Sequence, residues 1–338
     1  MKNNLINNSN KIFRVDDLEK MKLSNLKRDG DYIVLEDISK EGILESNIYE
    51  VNKFYEMVGA WCALTNDTNG SSFIELEISV RVNGEFSKYF TYGKWRLYGD
   101  NLYYNQDDKD VYMDCDEILT KDDLKADAFK FRVKMTKYTK LFLIVITYES
   151  QKYDKTVDEE LFKKDIEKKY DVPKLNQNMV PVIGGEMCSA TTTAMLLKYK
   201  GVDFSKFDCE FEHRYVASLV ADRGHNSPTY GNWTYNTVVM GAYGFNGYIF
   251  RVENFKEFIY LLDNVGPVGI SIRGDTGVYK TGGHLMVAIG YKIKDGKAYV
   301  LCNDPNINER FGEGLFVYYE FELDYFSNFF RGMCYVIE

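Results

Sequence analysis

The sequence is short of several things at once. It has only three histidines and five prolines in 338 residues. No apolar run approaches the roughly 18 residues that a helix needs to cross a bilayer, and the longest candidate, Leu141 to Ile146, has the length of a strand. Positive charge is scarce too: 42 Lys and Arg stand against 51 Asp and Glu, a net charge of −9, and no basic stripe relieves it. That balance argues against nucleic acid or an anionic membrane surface as the main partner. The six cysteines, Cys62, Cys115, Cys188, Cys209, Cys302 and Cys334, contain no CxxC pair. They are too dispersed for a disulfide scaffold, and Cys209 with His213 lacks the further ligands of a zinc site, so reduced thiols and no bound metal are expected. No Lys-Ser/Thr follows Gly184-Gly185, which removes a phosphate-binding loop and any reason to expect a nucleotide or other cofactor. The Asn-rich start has Lys2 but no apolar core of about 7–15 residues, unlike a secretory signal. The expectation is a cytoplasmic protein, or an exported one whose leader has been removed.

What is present is apolar and aromatic: 45% hydrophobic residues and 15% aromatics suffice for two cores. Residues 1–28 read as a leader, in part unordered, with a short amphipathic helix within Asp16 to Lys27. Residues 29–155 read as strands. Ile74, Leu76, Ile78, Val80 and Val82 alternate with polar residues up to the hairpin signal Asn83-Gly84, and Phe129, Phe131, Val133 and Met135 alternate likewise. Strands without long helices between them imply an antiparallel β-sandwich. Residues 156–171 are densely charged and read as a solvated linker helix, where a protease is expected to separate two stable pieces. Residues 172–338 then mix helices and strands, giving an α+β class for the C-terminal domain. Ala190, Ala194, Met195 and Leu197 share a helical face that Gly201 ends, Asn254 caps a second helix, and Leu285 to Tyr291 and Ala298 to Cys302 form a hairpin with His284 at its entry.

Cys188 precedes the helix beginning at Ser189-Ala190, where a thiol meets unpaired backbone N–H groups and the helix dipole, both of which favour the thiolate. A cysteine beside an apolar helix is usually just a small buried hydrophobe. The order of groups adds more: a cysteine ahead of a helix, a histidine opening a strand, and a polar pair, Asn303-Asp304, ending the return strand. Cys302 on that strand is expected to be packed, and His213 and His225 to make ordinary loop hydrogen bonds.

This succession resembles the papain-like cysteine peptidases, most closely the family-thirty-nine, double-glycine leader peptidase-like branch. The resemblance covers about residues 172–338 and rests on Val172-Pro173 to Gln177, Gly184-Gly185-Glu186-Met187-Cys188-Ser189-Ala190-Thr191, Gly231-Asn232-Trp233, Gly282-Gly283-His284-Leu285-Met286-Val287 and Asn303-Asp304-Pro305. Met187 stands where relatives often have Trp, and Ala190 where Pro is frequent. The resemblance implies a papain-like fold, Cys188 as nucleophile, His284 as base and later acid, Asp304 as the group orienting it, and Gln177 as an oxyanion donor with the Cys188 N–H. It also implies a cleft for a peptide or protein substrate, to which Trp233, Gly185 and Gly283 would contribute. The implied activity is hydrolysis of peptide or isopeptide bonds through a thioester. The alternatives are an acyltransferase or transglutaminase-like enzyme on the same triad, and a non-catalytic protein that binds a peptide or, at its N-terminal domain, a glycan or cell-surface ligand.

Strand register tests Asp304 against its neighbour independently of the resemblance. A two-residue turn on Asp295-Gly296 would put Asn303 on the face of His284. A three-residue turn, Lys294-Asp295-Gly296 with Gly296 in a bulge, would set Asp304 opposite Met286, on that same face, and is the one expected.

Overall fold

The computed structural model describes residues 7–65, 67, 69–156, 163–224, 227–307 and 317–338. The chain forms two compact units interleaved in sequence: Asn8–Gln151 with Leu219–Ile249, and Met1–Asn7, Lys152–Ser218 and Phe250–Glu338. The expected single cut between residues 155 and 172 is therefore corrected, since residues 219–249 leave the C-terminal stretch for the β-rich unit.

That unit contains two antiparallel sheets. The first runs in the order Gln106–Asp107, Val111–Asp114, Glu117–Thr120, Glu56–Thr65, Thr139–Tyr148, Tyr32–Leu35 and Leu26–Asp29, with Asn10–Arg14 also pairing Thr139–Tyr148. The second centres on Ala126–Met135 between Ile74–Val82 and Gly42–Glu45. Their inner faces meet: Phe13 of the first packs on Phe131 of the second at 5.2 Å between ring centroids. A Cβ on Gly59 would come within 2.7 Å of Leu76. The alternation read at residues 129–135 appears as burial of Phe129, Phe131, Val133 and Met135, and Asn83-Gly84 is the expected turn, with φ of 51° and 85°. The leader differs from expectation. Asn10–Arg14 is a strand, the helix is one turn long, Val15–Leu18, and Lys22–Ser24 and Leu26–Asp29 are strands. The stretch thus supplies sheet edges instead of an amphipathic helix.

Met57 to Ala63 is buried without alternation, because this strand has a cover on both faces. One face meets the second sheet. On the other lies the helix Trp233–Ala242, whose Thr234 hydroxyl donates to the Gly59 carbonyl at 2.8 Å. A Cβ on Gly241 would sit 2.7 Å from the Cys62 backbone, so this helix approaches the strand through a glycine.

The second unit is built on one antiparallel sheet in the order Phe330–Ile337, Val268–Asp275, Lys280–Lys294, Lys297–Asn303 and Tyr318–Glu322, with Ile166–Lys169 pairing Lys280–Lys294. Ile166–Lys169 is thus an edge strand, not the end of the expected linker helix; its backbone completes the far half of the His284 strand. The remainder of that call, residues 157–162, lies outside the described residues. Against the sheet packs the helix Cys188–Tyr199, buried from Ser189 to Leu197 all the way round. Its three threonines weaken helix propensity, and burial holds it. Gly201, at φ 88°, ends it, with Val202 N–H returning to the Leu197 carbonyl at 3.0 Å. Asn254 caps the helix Phe255–Asn264 by accepting from Glu257 N–H at 3.0 Å.

Candidate active site

Cys188 is the first residue of its helix, and Met187 before it offers no side-chain cap. Ser189, next along, is tied to the sheet by a 2.7 Å hydrogen bond between its hydroxyl and that of Tyr335. The thiol is half-buried. Burial opposes its ionisation, but His284, by charge and by hydrogen bond, and the Leu285 and Ser189 N–H groups outweigh burial and hold its pKa below the ordinary thiol value.

His284 lies in the strand Lys280–Lys294. Its Nε2 is 2.7 Å from Asp304 Oδ1, which leaves Nδ1 as the ring nitrogen for Cys188. The ring is almost wholly buried. Burial works against its charge, yet Asp304 and Cys188 together raise its pKa to about 10. Both shifts favour the same state, a thiolate beside an imidazolium. Asp304 is fully buried. Its Oδ1 also accepts from Asn306 N–H at 2.9 Å, and its Oδ2 accepts from the Tyr279 hydroxyl at 2.5 Å.

The register that selects Asp304 arises in an unexpected place. Lys294 pairs with Lys297 across Asp295-Gly296, so the turn has two residues, with φ of 51° and 74°, as suits a tight hairpin on Asp-Gly. Carried unchanged to the site, that register would bring Asn303 to the histidine. It shifts by one between Ala288 and Gly290, so that Ala288 faces Cys302 and Val287 faces Asn303. Ile289 is the extra residue of a β-bulge, and its carbonyl accepts from Tyr170 N–H at 2.8 Å. Gly290 has φ 150°, and a Cβ there would fall 1.9 Å from the Lys168 carbonyl of the edge strand. Asn303 points elsewhere and donates to the Val172 carbonyl at 3.0 Å.

Gln177 is buried in the short turn Gln177–Met179. Its side-chain Nε2 donates to the Gly184 carbonyl at 2.8 Å, and its backbone N–H to the Pro305 carbonyl at 3.0 Å. Gly184 has to be glycine, since a Cβ would stand 2.4 Å from the Gln177 carbonyl. A Cβ on Gly185 or Gly283 would meet nothing within 4 Å; both are exposed beside the reacting groups. Trp233 opens a helix of the β-rich unit and is not among the groups assembled around Cys188 within this one. In its motif, Asn232 acts as a helix cap, accepting from Tyr235 N–H at 2.8 Å.

Among the other residues singled out, Cys302 is fully buried, and burial pushes its thiol pKa well up. His225 lies outside the described residues. His213 sits in the helix Glu212–Val220, not in a loop, and is buried. Its Nε2 is 3.1 Å from the Asn176 carbonyl, directly behind Gln177, and burial lowers its pKa. Tyr279, which meets both Asp304 and His284, was missed. Its only sequence signal was a position five residues before His284, one tyrosine among 27.

Among the described residues no group of His, Cys, Asp and Glu could hold a metal ion, and no helix is long and apolar enough to cross a membrane. Residues 169–322 match the family model described as Peptidase_C39 like family. The stretch that holds Gln177, Cys188, His284 and Asp304 is thus similar to the C39-like peptidase family. No curated protein and no solved structure matches the chain significantly.

Proposed function

We propose that this C39-like chain is a cysteine peptidase that hydrolyses peptide or isopeptide bonds through a Cys188–His284–Asp304 triad. One observation carries the reading: His284 is held at 2.7 Å by Asp304 on one ring nitrogen while the other faces a thiol whose pKa is lowered chiefly by that histidine. The Cys188 sulfur attacks the carbonyl carbon as thiolate, and the oxyanion is received by the Cys188 N–H and the Gln177 amide, each worth on the order of 3 kcal/mol. His284 Nδ1–H protonates the leaving amine, which departs as the thioester forms. Neutral His284 then takes a proton from water, the hydroxide equivalent attacks the thioester carbonyl, and Cys188 leaves as thiolate beside the restored imidazolium. Asp304 fixes the ring in the orientation that both steps need. The open space at Gly185 and Gly283 would let an extended substrate backbone come close.

The test is alkylation by iodoacetamide at pH 6, read by peptide mass spectrometry, followed by cleavage of a peptide library with Cys188→Ala as control. Preferential labelling of Cys188 and Cys188-dependent cleavage to free acids are expected. Labelling of Cys188 no faster than that of Cys209 would remove the reading, and amide products formed only with added amine would replace hydrolysis by acyl transfer.

A further inference from the structure

We propose that Tyr279 is a positioning residue of this site: its hydroxyl locks the Asp304 carboxylate in the rotation that presents Oδ1 to His284, while its ring shields that hydrogen bond from water. The inference rests on the triad reading and extends it to a fourth side chain.

Asp304 is completely buried, and a buried carboxylate is defined by its donors. Oδ1 has two, His284 Nε2 at 2.7 Å and Asn306 N–H at 2.9 Å; on Oδ2, Tyr279 donates at 2.5 Å. Without that phenol the group could turn about its Cβ–Cγ bond and take His284 with it. The phenol is a dependable donor, because burial and the adjacent Asp304 push its own pKa well above the ordinary value. The Tyr279 ring also stands edge-on to the imidazole, with centroids 5.7 Å apart and planes at 87°, flanking the ring whose hydrogen bond to Asp304 it would keep dry.

Tyr279 is itself held. It ends the turn between Val268–Asp275 and Lys280–Lys294, the second of which carries His284. Buried Thr276 clamps that turn: its N–H and its hydroxyl both reach the Tyr279 carbonyl at 2.9 Å, and its oxygen accepts from Tyr279 N–H at 3.0 Å. Gly277, at φ 79°, gives the turn its shape, with the Tyr325 ring 3.0 Å from where a Cβ would be. The tyrosine that fixes the carboxylate and the histidine that uses it therefore share one strand hairpin.

Tyr279→Phe keeps the ring and removes only the donor. The probe is iodoacetamide, and the readout is the rate of Cys188 alkylation from pH 4 to 11. With one donor fewer, the Asp304 carboxylate turns more of its charge on the imidazolium, so the alkaline step of the profile should move up by about half a unit or more. Cleavage of a library-derived peptide should show kcat reduced about tenfold, with KM within about twofold. On an Asp304→Asn background the same substitution should move neither quantity, because the partner has gone. Thr276→Val, which keeps the phenol but loosens its turn, should shift the step in the same direction by less. A folded Tyr279→Phe enzyme with the parent's pH profile and kcat would overturn the inference, as would an equal effect on the Asp304→Asn background. Should Tyr279→Phe fail to fold, an unshifted Thr276→Val profile would count against it. Failure of the triad reading looks different: Cys188 in the unaltered protein would then show no preferential labelling at pH 6.

Discussion

Two helices of this molecule, one in each unit, begin in opposite ways. Trp233–Ala242 starts closed: Asn232 accepts from Tyr235 N–H at 2.8 Å, and Asp116, from a distant strand turn, accepts from Thr234 N–H at 2.7 Å. Cys188–Tyr199 starts open, with no capping side chain from Met187. Each start carries a buried or half-buried acid, and the two titrate in opposite directions. Burial raises the Asp116 pKa to about 6, although Thr234 and Trp233 N–H groups both donate to it. Cys188 is lowered, because His284 stands opposite. The helix terminus thus does not offset the burial of Asp116, in keeping with the ~0.3–1 kcal/mol typical of such dipoles. At Cys188 the histidine is decisive, and the helix contributes position.

The contrast can be sharpened or broken experimentally. Asp304→Ala leaves both helix starts intact but frees the imidazole, and should reduce turnover on the order of 10³-fold, whereas Asn303→Ala should leave most of it. Equal losses, measured as kcat/KM on one peptide, would mean that orientation of His284 is not what Asp304 provides. His284→Ala leaves the open helix start and the Leu285 N–H to support the thiolate. Alkylation of Cys188 at pH 6 should then slow about 10²-fold, toward that of a thiol with pKa ~8.5; an unchanged rate would show that the terminus suffices after all. At the closed start, Asn232→Ala should destabilise the β-rich unit by about 1 kcal/mol in urea unfolding while Cys188 labelling stays the same.

A separate effect is on stability against pH. The folded His284 pKa is raised, from ~6.5 unfolded to about 10. Its contribution is therefore full below about 6.5 and disappears as pH rises through about 10. His213 is lowered by burial, so its contribution is full above ~6.5 and fades as pH falls below that. Urea midpoints between pH 5 and 10.5 should show an alkaline decline that is flattened in His284→Gln and an acid decline that is flattened in His213→Gln.

Local signals in the sequence located much of this. Alternation marked Ile74–Val82 and Ala126–Met135, Asn254 marked a cap and Gly201 a stop, and the order of cysteine, histidine and acidic residue marked the groups that the structure brings together. Contacts across long stretches of chain were not legible. The resemblance gives Trp233 a place at the cleft, and no local signal announces that its helix also covers Glu56–Thr65. A fragment ending near residue 155 would expose that strand's outer face, so the two stable pieces expected from cleavage near residue 156 should not form. The charged stretch 156–171 reads as a helix because the backbone partner of Ile166–Lys169 within it, Lys280–Lys294, is remote in sequence. Asp304 was selected by the right parity for a wrong reason: the extra residue lies at Ile289, not in the turn, and only the approach of the Lys168 carbonyl to Gly290 explains why.

That bulge gives the triad an unusual kind of address. The third member is chosen between two adjacent residues, a carboxamide and a carboxylate, by how many residues of the opposing strand intervene before them. Flattening the bulge, so that Ile289 itself pairs with Cys302 while the Asp295-Gly296 turn is kept, would change no reacting group, yet it would swing Asn303 toward the imidazole and send Asp304 to the other face of the sheet. A structure of a variant with the bulge flattened would reveal it directly. Descendants of such a chain could pass from an anionic to a neutral orienting group through a one-residue change in register, with every letter of the site preserved.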